Sequence, residues 1–164
     1  MTLLTVILLL VLSDACICSH DESSDESSVE KELTEFLSDF SDAFKVPECA
    51  TSENPDCSAV AAFSARDAIL APQGVPTAFG RAEIKQFTEG FKALNPSAYS
   101  EITIKSIKAD RRSATVFGIT TTFVNGEIFM ETRVLIYFIN EADEEGDSVW
   151  KIQYLLDNEH FFQK

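Results

Sequence analysis

The spacing of hydrophobic positions along this chain changes more than once, and each change marks a boundary. Met1–Leu12 (MTLLTVILLLVL) is a continuous apolar run that gives way to polar residues at Ser13. It is well short of the roughly 20 residues a bilayer-spanning helix needs, so it reads as the core of a cleavable signal peptide. Cleavage fits after Ala15 or within Cys18–Ser19. Residues 1–19 are therefore assigned to a signal peptide, and the product is expected to be secreted, extracellular and free of the membrane after cleavage. Residues 20–29 (HDESSDESSV) repeat the tetrapeptide DESS and carry no apolar side chain before Val29. Such a stretch buries too little to offset the entropy of ordering, and it is expected to be disordered.

From residue 30 to 164 the pattern is that of one folded domain. Val29, Leu33, Phe36, Leu37, Phe40 and Phe44 recur every three or four residues, which predicts a helix ending near Pro47. A second short helix is expected through SAVAAFSARDA, then a brief strand at Ile69–Ala71 and a Pro- and Gly-rich loop from Pro72 to Pro76. A third helix follows Gly80, with Ile84, Phe87 and Phe91 on its buried side. From Tyr99 the period becomes two. Strands are expected around Ile102 and Ile104, at Ser113–Val124, at Glu127–Ile139 and at Val149–Leu156. Asn125–Gly126 is the preferred hairpin turn between the second and third of these. On the third, Phe129, Glu131, Arg133, Leu135 and Tyr137 share one face, and Ile128, Met130, Thr132, Val134, Ile136 and Phe138 share the other. Helices followed by a meander of long strands predict an α+β domain, with N-terminal helices packed on a curved antiparallel sheet.

Charge narrows the partners. The formal net charge of -14 repels phosphate backbones and anionic lipid, which argues against nucleic acid and membrane surfaces. Cysteine usage agrees with export. Cys16 and Cys18 fall in the cleavage region, while Cys49 and Cys57 flank a short polar loop and suggest a disulfide. Two cysteines and two distant histidines, His20 and His160, do not make a metal site, and no cofactor-binding motif occurs. Ser24 and Ser28 stand two residues before a glutamate, the Ser-x-Glu pattern of secretory-pathway kinases, and are candidate phosphorylation sites. The Asn95-Pro96-Ser97 triplet is no glycosylation acceptor, because of its proline.

Candidate chemistry is sparse. Asp67, Glu131, Arg133 and Tyr137 are candidate pocket residues, although Asp67 also reads as a helix-end cap and Glu131–Arg133 as an outer-face ion pair. Asp157, Glu159 and His160 cluster at the end of the last strand, where solvated surface is the simpler reading.

The order of elements, with PDCSAVAAFSARDAILAPQGVPTAFGRAEIKQFTEGF and the terminal WKIQYLLDN, resembles the nuclear transport factor 2-like superfamily. Its SnoaL-like and ketosteroid isomerase-like branches show a helix ending in Asp-Ala, a Pro-Gly loop, Gly-Arg-x-x-Ile and a Trp-Lys-Ile strand. Here these are Asp67-Ala68, Pro72–Gly74, Gly80-Arg81 to Ile84, and Trp150-Lys151-Ile152. The resemblance covers residues 30 to 160. It implies a cone-shaped fold with a pocket at its wide end and homodimers formed through the sheet. It implies no single function. The isomerase branch places a carboxylate base where this chain has Ala71. Its helix tyrosine falls among Phe36, Phe40 and Phe44, and its oxyanion acid falls within Val134–Phe138. With those roles vacant, the expected function is a secreted, non-catalytic domain that binds a small apolar ligand or a protein partner. The alternative is a divergent lyase, isomerase or hydrolase using pocket carboxylates.

Overall fold

The computed structural model describes residues 22–142 and 146–159. The segment 1–19 read as a signal peptide, Asp143–Glu145 of the acidic loop, and His160 lie outside the described residues. The first apolar stripe forms helix α1 (Glu22–Ala43), with Leu33, Leu37 and Phe40 buried. Its first turns, from Glu22, fall within the segment 20–29 that was expected to be disordered. Acidic residues suit the N-terminal end of a helix dipole, and Val29 already packs on the core, so the packed helix propagates outward.

Helix α2 (Ser58–Ala61) is a single turn, and strand β1 (Ser64–Pro72) follows it. Ser64–Ala68, expected to be helical, is therefore strand. The alanines favour helix locally, but Ile152 N donates to Phe63 O at 2.9 Å and Ser64 pairs with Ile152. Sheet pairing overrides the local propensity. After β2 (Ala78–Phe79) comes α3 (Gly80–Leu94). Glu83 Oε2 accepts from Phe79 N at 2.8 Å, reaching back to satisfy a free amide at the helix start. Arg81 donates twice to Ser64 O, at 3.0 and 2.7 Å, and ties α3 to β1. That contact gives the Gly80-Arg81 pair a structural job.

The remaining strands are β3 (Tyr99–Ala109), β4 (Ser113–Val124), β5 (Glu127–Ala142) and β6 (Ser148–Glu159). The sheet order is β2-β1-β6-β5-β4-β3. Neighbours pair antiparallel except β1 and β6, which are parallel, so the sheet is mixed where an antiparallel one was expected. The crossover arises because β1 sits among the helices in sequence and joins the meander only at its last strand. Register shifts that leave an extra residue at Lys105 in β3, Phe129 in β5 and Gln153 in β6 bend the sheet around α1. Gly118 stands against the shift in β3, where a Cβ would approach Thr103 O to 2.8 Å. The tight β4–β5 turn has positive φ at both Asn125 and Gly126, as the hairpin reading requires.

The alternation on β5 places Thr132, Val134, Ile136 and Phe138 inside, with Arg133 and Leu135 outside. The core joins this face to α1 through edge-on aromatic contacts. Phe36 lies 5.0 Å from Phe63 and 5.4 Å from Phe138, centroid to centroid. Cys49 and Cys57 form a disulfide and are fully buried at the edge of this core. Among the described residues no helix is long and apolar enough to cross a membrane.

Candidate functional site

The curved sheet and its helices do not close at the hairpin end. There they leave a cavity of about 160 Å³, near the roughly 150 Å³ of an engineered apolar cavity that holds one benzene. Helix α1 contributes Phe40, with Phe44 one residue past its end, and α3 contributes Ile84, Phe87 and Phe91. The sheet supplies Ile102, Ile152 and Leu155, with β1 closing one side through Ile69 and Leu70. The aromatic positions follow from the two helical stripes, whose C-terminal halves converge over the sheet.

Few polar groups interrupt this lining, and most are satisfied. Thr88 Oγ1 donates to Ile84 O at 2.9 Å, and the hydroxyls of Ser100 and Thr122 bond each other at 3.0 Å. Asp157 is different. It lines the cavity from β6, opposite Val134 and beside Pro72, and its Oδ1 is buried with no hydrogen-bond partner. Burial pushes its pKa up, and the neighbouring Thr132 hydroxyl and the Asn158 backbone draw it partly back. Even so, no hydrogen bond of ordinary geometry joins Thr132 Oγ1 to Asp157 Oδ1, and both atoms are unpartnered. Asp157 is the single acid or base lining the cavity among the described residues.

Its inward position depends on a register shift. Strict alternation from Trp150 and Ile152 would turn Tyr154 and Leu156 inward. The register shift between the pairs Tyr137–Tyr154 and Phe138–Ile152 leaves Gln153 as an extra residue on β6 and reverses that, so Leu155 and Asp157 face the cavity while Tyr154 and Leu156 are about 40% exposed. Solvated surface was the simpler sequence reading of Asp157, and a bulge is hard to see in a sequence.

None of the four residues read as pocket candidates lines the cavity. Asp67 is exposed on β1, where its Oδ1 accepts from Gln153 Nε2 at 3.3 Å; it caps no helix. Glu131 is half-buried on the outer face and accepts from Thr121 at 3.4 Å. Arg133 is exposed on that face, and Tyr137 lies there 5.8 Å from the Tyr154 ring. Of the positions the isomerase resemblance singled out, Ala71 pairs with Leu156 one residue before Pro72 at the cavity wall. Phe40 and Phe44 reach the cavity, while Phe36 and Phe138 stay in the core. Ser28 is exposed on α1 and donates to Glu32 Oε1 at 3.3 Å, and nothing is described of the Ser24 side chain.

A second buried charge, missed in the sequence, steadies the cavity from behind. Lys92, in the last turn of α3, is 1% exposed, and its Nζ donates to Phe44 O, Pro96 O and Ala98 O at 3.0, 2.7 and 2.6 Å. Burial lowers its pKa. Three carbonyls match the three protons of an ammonium and hold it charged.

A raised carboxyl pKa has a definite sign for stability. The folded state binds the Asp157 proton more tightly than the unfolded chain. The associated stabilisation is present below the ordinary value of 3.8 and is lost as pH rises through the folded pKa. Asp157→Asn is therefore expected to be more stable than the parent at pH 7, by on the order of 1 kcal/mol, and no more stable at pH 3. Urea unfolding at both pH values checks this, and a variant less stable at pH 7 contradicts it.

No protein-family model matches the sequence, and neither does any curated protein. Solved structures do match. A protein of unknown function from Mycobacterium tuberculosis is 12% identical, with a TM-score of 0.67 over 84% of this chain and 75% of its own. A nuclear transport factor 2-like protein with a cystatin-like fold from Novosphingobium aromaticivorans is 15% identical, with a TM-score of 0.61 over 86% and 89%. A candidate scytalone dehydratase from the same organism is 15% identical, with a TM-score of 0.63 over 84% and 89%. At such identities the likeness speaks for the fold. Together with the helix order and sheet topology, it gives this chain the α+β, cone-shaped fold of the nuclear transport factor 2-like superfamily.

Proposed function

We propose that this domain binds a small, largely apolar molecule in its cavity and does not transform it. The observation that carries the reading is the cavity itself, sized for about one ring and walled by phenylalanine and aliphatic side chains. A divergent lyase, isomerase or hydrolase is less well supported. Acid–base chemistry asks for converging titratable groups, and here Asp157 stands alone among the described lining residues. Toluene is the simplest probe. Titrated into isotope-labelled protein, it is expected to shift the amide resonances of Ile102, Thr120 and Leu155. Shifts confined to the outer sheet face, or none at all, would remove the reading.

A homodimer through the sheet is proposed alongside it. Phe117, Leu135, Tyr154 and Leu156 are each about 40% exposed on the outer face, an unusual grouping for a surface in water. Sedimentation equilibrium is expected to give a dimer, and Leu135→Lys to shift it towards monomer. A parent protein that stays monomeric at high concentration excludes it.

Export completes the proposal, supported by the N-terminal apolar run and the Cys49–Cys57 disulfide. N-terminal sequencing and intact mass of the protein from culture medium would report cleavage near residues 15 to 19 and phosphate on Ser24 and Ser28. An uncleaved, unmodified chain retained in cells refutes this part.

A further inference from the structure

We propose that the cavity selects small hydrophobic amines, with the ligand's ammonium on the Asp157 carboxylate and its apolar body among Phe40, Phe44, Phe87 and Phe91. The inference rests on the cavity reading above and adds the ligand's chemical class.

Three features of the molecule converge on a cation. The first is the unpartnered Asp157 Oδ1 at the cavity wall, with a second unpartnered oxygen, Thr132 Oγ1, on the adjacent strand outside the lining. A primary ammonium offers Asp157 Oδ1 the bond it lacks while neutralising the carboxylate. An alcohol would donate one bond and leave the charge uncompensated, and a carboxylate ligand would add a second negative charge beside the first. The second feature is the four phenylalanine rings that share the cavity with Asp157. Ring faces attract cations and present the right surface to a ligand's hydrocarbon part. The third is the net charge of -14, which raises the local concentration of cations and lowers that of anions.

Nothing on the protein already fills the role. The cavity walls from α1, α3, β1, β3, β4 and β5 bring no titratable side chain to face Asp157 among the described residues. Lys92, the nearby buried cation, is held by three carbonyls and does not line the cavity. A carboxyl with one buried oxygen left unpartnered is a cost to the empty fold. A ligand that supplies the missing counter-charge turns that cost into selectivity.

Benzylammonium, benzyl alcohol and toluene share one ring and nearly one shape, and differ in the group offered to Asp157. Titrated by calorimetry or amide shifts at pH 7, benzylammonium is expected to bind at least about tenfold more tightly than either neutral probe. Asp157→Asn should erase that preference while leaving toluene binding in place, which also shows that the variant is folded. Benzylammonium affinity should fall as pH drops through the Asp157 pKa, and toluene affinity should not follow it. If toluene or benzyl alcohol binds as tightly as the amine, the amine inference fails and the apolar cavity stands. The same holds if Asp157→Asn keeps the preference, because overall charge would then explain it. If no probe binds, the cavity reading itself fails.

Discussion

Lys92→Ala is expected to cost about 3–5 kcal/mol of folding stability, a large share of the roughly 5–15 kcal/mol a domain of this kind has in total. Two losses combine. The side chain is among the largest fully buried in the molecule, so its removal leaves a void. It also strips donors from Phe44 O, Pro96 O and Ala98 O, which lie just past the end of α1 and on the segment leading into β3. Lys92→Met separates the two. It restores most of the volume and none of the donors, and is expected to recover only about 1–2 kcal/mol of the loss. Replacing a buried ion pair by apolar residues is often neutral, but there both partners are exchanged. Here the three carbonyls remain. Urea unfolding of the parent and both variants decides the matter, and a methionine variant as stable as the parent would show that the carbonyls need no ammonium.

How far the sequence revealed this architecture depends on what each element relies on. Elements held by local rules were legible. The α1 stripe, the α3 helix after Gly80 and the Asn125–Gly126 hairpin follow from periodicity and turn chemistry. So do the two faces of β5, where alternation alone sorts Val134 from Leu135. Elements decided by distant partners were not. Ser64–Ala68 has the composition of a helix and becomes strand in a segment that β6 pairs at Ser64 and again from Ile69 on. That parallel pairing joins segments about 85 residues apart, beyond the reach of any window reading.

The cavity follows the same division. Its aromatic wall could be anticipated from the phenylalanines of α1 and α3. Its polar groups could not. Asp157 faces inward through a register shift, and Lys92 is buried by acceptors on two separate segments, the chain just after α1 and the loop before β3. The four residues named from the sequence were chosen for their chemistry on strands whose inner face had not been identified. Three of them, Glu131, Arg133 and Tyr137, sit on the same strand face, and that face is the outer one. The patterning was correct; which side enclosed the cavity was the missing information. A pair of unpartnered buried oxygens, Thr132 Oγ1 and Asp157 Oδ1, is the kind of local inconsistency that a stable fold retains for a use.

Loss of the Cys49–Cys57 disulfide is expected to lower stability by about 2–3 kcal/mol through chain entropy alone, because the loop it closes is short. The native contacts set limits on that figure. Asp56 N donates to Glu48 O at 2.8 Å, and Cys57 N donates to Glu89 Oε1 at 3.3 Å, so the loop stays tied when the sulfurs are free. Lys85 holds Asp56 at 3.0 Å across the same corner, though this exposed pair adds little. Cys49→Ala with Cys57→Ala is therefore expected to fold, with its unfolding midpoint in urea lowered and its slope unchanged. Both sulfurs are buried against the α1 core, so a reductant should reach them only through opening of that corner. Reduction of the parent is expected to be slow under native conditions and to accelerate with urea as the corner opens. Fast reduction without denaturant, followed by no change in stability, would show that this bond closes a loop the fold already holds shut.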